Sequence, residues 1–144
     1  MGKIRKLMGY IAFKNDNYED AFILFEEALQ LLNEYKVYEN ESILDCLKYL
    51  AETEKYRNNY DRALIYLGKA YKIQLNIYLP NQPQIAHTLR QVGLIHMHFK
   101  IYDRAAKYLN NALEMFGINF KNDHDDVKIT LEHLRRVNQI LRRY

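Results

Sequence analysis

The stretch NYDRALIYLGKA, residues 59–70, decides the reading of this chain because the chain writes it three times. NYEDAFILFEEA begins at residue 17 and IYDRAAKYLNNA at residue 101, so the three phrases stand 42 residues apart. In that register Tyr18, Tyr60 and Tyr102 align, as do Ala21, Ala63 and Ala105. Phe25, Leu67 and Leu109 follow, then Ala28, Ala70 and Ala112. A second series leads each phrase: Ile43, Ile85 and Val127; Leu47, Leu89 and Leu131; Leu50, Val92 and Leu134. Met8 and Gly9 hold the corresponding places near the start, beside Ala51 and Gly93. Self-similarity at a fixed period of this size is the signature of a repeat architecture.

Each unit reads as two antiparallel helices. Apolar residues fall three and four apart in Ile43, Leu47, Leu50 and Ala51, and again in Ala63, Leu67 and Ala70, giving one buried stripe per helix. The recurring Gly and Ala positions let neighbouring axes approach closely, where a larger side chain costs roughly 1–3 kcal/mol in overpacking. The segments RNN, KND and HFK before each aligned Tyr (directly before it in the second unit, one residue further back in the first and third) are short, as antiparallel neighbours require. Five glycines and two prolines leave long helices uninterrupted.

This pattern of Gly/Ala, aromatic, Ala, Phe/Leu and Ala resembles the tetratricopeptide repeat. Its usual unit has 34 residues; the period here is similar to the longer variant of kinesin light chains. The segments NQPQIAHTL (81–89) and NDHDDVKITL (122–131) resemble that variant's connector, with Thr88 and Thr130 in register, while YENESILDCL (38–47) keeps only Ile43 and Leu47. The extra residues are expected to lengthen the second helix and its loop, through LQLLNEY and YKIQLNIY. The resemblance implies an all-α, right-handed α-solenoid over residues 1–144, with repeats at about 1–38, 42–79 and 84–120 and a capping helix at about 125–143. In the last helix Val127, Leu131, Leu134 and Ile140 are expected inward, with Arg135, Arg136, Arg142 and Arg143 in water.

Composition narrows the function. A net charge of +3 is too small to imply nucleic acid, and the basic termini leave that reading last among those considered. Cys46 stands alone, which excludes an intrachain disulfide and points to a reducing compartment. The opening MGKIRKLMGYIAF lacks a signal-peptide core, and Lys6 stands where an N-myristoylation signal carries Ser or Thr. No apolar run reaches membrane-spanning length, so a cytoplasmic protein is expected.

Catalytic motifs do not emerge. His96 and His98 point about 200° apart on a helix, which disfavours a shared metal ion with His87. Cys46 reads as a buried structural thiol. The acidic run DHDD (123–126) fits the start of a helix better than a metal loop. No phosphate-cradling glycine loop, zinc-protease motif or nucleophile elbow appears. A non-enzyme without cofactor or metal is expected.

Binding is the remaining role. The resemblance places the first helix of each unit along a concave groove. On those helices Lys6, Tyr10, Phe13, Lys48, Tyr49, Glu52, Tyr56, Arg90, Gln91, Leu94 and Met97 are the candidate peptide-binding residues. Lys6, Lys48 and Arg90 stand 42 apart, and the row ends at Glu132. It reads either as a solvated charge row or as a rail for acidic or C-terminal carboxylate peptides. Tyr10, Phe13, Tyr49, Tyr56 and Met97 would anchor such a peptide. The carboxylate clamp of chaperone-binding repeats does not carry over: Lys6 matches it, but Tyr10, Tyr49, His87 and Gln91 replace its other residues. The groove asparagines of kinesin light chains are absent as well. A scaffold binding a partner peptide is the leading expectation. The alternatives are a peptide-sensing regulator similar to bacterial quorum-sensing receptors, and self-assembly through the terminal helix.

Overall fold

The computed structural model describes residues 1–34 and 40–143. Seven helices follow one another, and no strand occurs among the described residues. They are α1 (Gly2–Lys14), α2 (Tyr18–Glu34), α3 (Asn40–Tyr56), α4 (Tyr60–Ile77), α5 (Pro83–His98), α6 (Tyr102–Asn119) and α7 (Asp125–Arg142). The chain is therefore all-α, built of helix–turn–helix pairs in the order that the 42-residue register predicts. YKIQLNIY does lengthen its helix, since α4 runs to Ile77. LQLLNEY extends α2 to Glu34; its Tyr35, like the start of the connector YENESILDCL, lies outside the described residues.

The turns show why each pair closes where it does. Asp16, Asn58 and Lys100, again 42 apart, all adopt a left-handed backbone with φ of 60°, 62° and 62°. In each turn the next residue donates its N–H back across the helix end: Asn17 to the Ala12 carbonyl (2.9 Å), Asn59 to Glu54 (2.7 Å) and Ile101 to His96 (2.9 Å). This is the six-to-one bond of a Schellman cap, which satisfies an orphan helix carbonyl. Asp and Asn tolerate the left-handed region, whereas a lysine side chain is strained there by about 1 kcal/mol. Replacing Lys100 with Gly should therefore raise stability by about 0.5–1 kcal/mol, read as a higher urea midpoint at unchanged slope. An unchanged or lower midpoint would show that the turn carries no strain.

Two compact units form, Met1–Ile73 and Gln74–Tyr144. In the first, α1 packs on α2 and α2 on α3, with a smaller α1–α3 contact. Its core joins Ala21, Phe25, Ala28 and Leu32 of α2 to Cys46 and Leu50 of α3. Gly9 is the close approach that the register anticipates: a Cβ there would lie 3.0 Å from the Phe25 ring. The turn between α3 and α4 is tied to α2 by charge. Arg57 reaches Glu19 at 3.0 Å and the fully buried Glu54 at 2.6 Å, and its guanidinium covers the Phe22 ring at 4.5 Å.

In the second unit α5 packs on α6, α6 on α7, and α5 touches α7. Gly93 repeats the role of Gly9, its absent Cβ facing Leu109 at 3.1 Å. Ala105 and Leu109 of α6 meet Leu134 and Val137 of α7. Val127 and Leu134 are buried as expected, Leu131 and Ile140 only partly, and Val137 and Thr130 complete the inner face. Arg135, Arg136, Arg142 and Arg143 are exposed. The acidic run 123–126 opens α7: Asp125 and Asp126 occupy its first turn, and the His124 ring accepts the Asp126 N–H at 3.1 Å.

Candidate peptide-binding face

The aromatic residues predicted on the first helices do assemble within the first unit. Tyr10 and Phe13 project from α1, Tyr49 and Tyr56 from α3, and the α1–α3 contact brings them together. Tyr49 is the hub: its ring centroid lies 5.4 Å from Tyr10 and 5.6 Å from Phe13, both edge-on, and 5.2 Å from Phe25 in a parallel stack. Phe13 also meets Tyr56 at 5.8 Å and Tyr18 at 5.6 Å. Tyr56 stacks flat on Tyr18, 4.5 Å away. Such ring pairs stabilise one another by about 0.5–1.5 kcal/mol beyond their buried area. One edge of the cluster continues the core through Phe25, and the other stays in water, with 58% of Tyr56 exposed. Burial, then the neighbouring Tyr10, pushes the Tyr49 phenol above its ordinary value, so it stays neutral.

The charges around this cluster are unequal. Lys6 is half-buried and pairs with Asp45 at 3.2 Å, and Lys55 holds Glu52 at 2.9 Å. Lys14 lies over the Tyr10 ring at 5.3 Å. Lys48 is half-buried and has no ion-pair partner among the described residues. Lys6, Lys48 and Arg90 therefore do not share one environment.

Arg90, in the second unit, is buried. Its guanidinium donates to the Asp126 carboxylate at 3.0 Å and to the Thr130 hydroxyl at 3.3 Å, and lies 3.1 Å from His87 Nδ1. Its other face covers the Phe116 ring at 5.1 Å. It ties α5 to α7. Leu94 and Met97 are partly buried against the core of α6 and α7, and Gln91 is half-exposed. Sequence reasoning could not see these partners, because Asp45 and Asp126 stand 39 and 36 residues from the cations they hold.

Other reactive groups are dispersed. His96 is buried against Tyr108, His98 is exposed, and His87 lies 3.5 Å from Asp126. Burial lowers the pKa of His96 and His133, which keeps both rings neutral. Burial also pushes the Cys46 thiol up to about 12, the state of a packing group and not of a nucleophile. Among the described residues no cluster of three His, Cys, Asp or Glu could hold a metal ion. No described helix is long and apolar enough to cross a membrane.

Tandem helix pairs with small residues at their crossings and left-handed turns at a constant interval define a helical-repeat protein. The tetratricopeptide repeat family matches residues 2–76, and the chain belongs to that family. No curated protein sequence matches it. Among solved structures it is similar to BtubC (BKLC) from P. vanneervenii, at 19% identity and a TM-score of 0.88 over 96% of this chain and 55% of that one. The nearly identical TPR-like repeats of a kinesin light chain candidate from Podosopora anserina match at 14% identity and a TM-score of 0.80, over 95% of this chain and 65% of that one. The apo form of RapI matches at 23% identity and a TM-score of 0.84, over 99% of this chain and 50% of that one. This chain thus spans between half and two-thirds of the length of these proteins. The likeness to kinesin light chain-type repeats accords with the 42-residue period.

Proposed function

We propose that this protein is a non-catalytic interaction module that binds a partner peptide on the face formed by α1 and α3. The aromatic cluster around Tyr49 carries the reading. Rigid rings that are packed on one side and open on the other offer contact area at little entropic cost, as binding hot spots do. Tyr10, Phe13 and Tyr56 supply apolar anchors, while Lys14 and Lys48 favour acidic residues in the ligand. Lys6 contributes less, since Asp45 already neutralises it. Arg90 serves the frame of the second unit, so the acidic preference rests on the first unit's lysines.

A displayed-peptide selection tests this, run in parallel on the wild type and on Lys48→Glu/Tyr56→Ala. Both positions have solvent access, so the variant should keep its helicity. Peptides combining acidic and apolar residues should enrich on the wild type and bind the variant about thirtyfold more weakly, the loss of one aromatic anchor and one charge contact. Identical selections on both proteins, or no enrichment on either, would refute the proposal.

A further inference from the structure

The outward faces of α2 and α4, both in the first unit, carry the same apolar residue in opposite electrical settings. Ile23 and Ile65 occupy one register position and are 50% and 59% exposed. Three residues before and four after, Ile23 is flanked by Asp20 and Glu27, and Ile65 by Arg62 and Lys69. Residues at these spacings share one helix face. Further along, Gln30 of α2 is matched by Lys72 of α4, and all of these side chains are exposed. The third member of the central column is Lys107 of α6, so the apolar centre is confined to the first unit.

Pairing within the chain leaves this contrast in place. The helix α2 carries five carboxylates and no lysine or arginine. Arg57 reaches Glu19 at 3.0 Å and Arg5 reaches Glu27 at 3.5 Å, but Asp20, Glu26 and Glu34 bond only to the neutral side chains of Asn17, Tyr66 and Gln30. On α4, Arg62 stands 3.9 Å from Glu54, a carboxylate that Arg57 already holds at 2.6 Å. Lys69 lies over the Tyr66 ring at 5.8 Å, and Lys72 has no ion-pair partner among the described residues.

Gly68 adds a steric observation. It follows Ile65 by three residues on the same face, and a Cβ there would meet nothing within 4 Å. Gly9 and Gly93 make room for neighbours inside the chain, whereas nothing inside the chain requires Gly68, although a glycine within a helix is destabilising relative to alanine. Its bare backbone leaves room for an approaching helix. The Tyr66 hydroxyl donates to Glu26 and so sets α2 and α4 side by side. An acidic face and a basic face with like apolar centres, adjacent on one molecule, complement each other across two molecules. We infer that two copies of this chain associate here, α2 of each lying against α4 of the other about a twofold axis.

Sedimentation velocity over a concentration series tests this. The wild type should pass from monomer to dimer as concentration rises, and less readily at high salt. Lys69→Glu/Lys72→Glu makes both faces acidic, and Glu27→Lys/Gln30→Lys makes α2 basic like α4. Each should weaken association about tenfold or more on its own, while an equimolar mixture of the two should restore it, because their faces are again opposite in sign. Gly68→Leu should block the dimer yet leave the monomer as stable to urea as before, or more so. A wild type that stays monomeric to about millimolar concentration, a mixture that fails to recover, or a dimer that survives Gly68→Leu would overturn the inference. So would a dimer lost in Ile4→Glu/Met8→Glu and kept in the charge variants, which would place the contact on α1. None of these substitutions touches Tyr10, Phe13, Tyr49 or Tyr56, so peptide binding at the aromatic face stands or falls separately.

Discussion

Phe25→Ala should destabilise the protein by about 3–5 kcal/mol, a large share of the 5–15 kcal/mol that holds a typical domain folded. Phe25 is fully buried among Ala21, Ala28, Leu32, Cys46 and Leu50. Its ring fills the space left by the missing Cβ of Gly9 and stacks on Tyr49. Truncation would remove the transfer energy of the ring and leave a cavity that three helices line. The register supplies a control, because Leu67 and Leu109 occupy the same position in the other pairs. Phe25→Leu should cost about 1–2 kcal/mol, since the smaller cavity collapses more readily. Urea unfolding followed by circular dichroism measures both. If the two variants fell together below about 1 kcal/mol, the α1–α2–α3 core would be far more plastic than its packing implies.

Asp126→Ala is expected to cost about 3 kcal/mol in the second unit, by a different mechanism. The side chains of Arg90 and Asp126 are only 11% and 19% exposed, so their pairing is weakly screened by water. Removing the carboxylate leaves the guanidinium desolvated over Phe116 with only the Thr130 hydroxyl and the His87 ring beside it. It also strips an acid from the first turn of α7, worth about 0.5 kcal/mol more. The double variant Arg90→Met/Asp126→Ala should recover much of the loss, because an apolar chain of similar length avoids the stranded charge. Loss of less than 1 kcal/mol in Asp126→Ala, or no recovery in the double variant, would show that Arg90 is hydrated.

Much of this architecture is visible in the sequence because repetition multiplies a weak signal. One Ala-x3-Phe-x2-Ala pattern proves little, whereas three at a constant interval specify helix pairs, their turns and their close crossings. The positions of Gly9 and Gly93 were legible for the same reason. The aromatic face was partly legible: α1 and α3 do bring Tyr10, Phe13, Tyr49 and Tyr56 together. Its electrostatics were not. Lys6 and Arg90 look alike in the register, yet one meets Asp45 on a half-exposed surface and the other is enclosed by Asp126, Thr130 and His87. Register predicts where a side chain emerges, but not which acid a neighbouring helix sets opposite it. Glu54 shows the same limit. Its place corresponds to Ala12 and His96, and nothing in that column announces a carboxylate buried against Arg57.

The left-handed turns at Asp16, Asn58 and Lys100 bear on how the chain finds its fold. Each turn lets one helix end bond to residues five positions back, before any distant segment has arrived. The entropy lost in closing such a short loop is small, so each pair can form early and by itself. A chain organised in this way searches for its native state by joining ready-made hairpins, and a lesion in one leaves the folding instructions of the next intact.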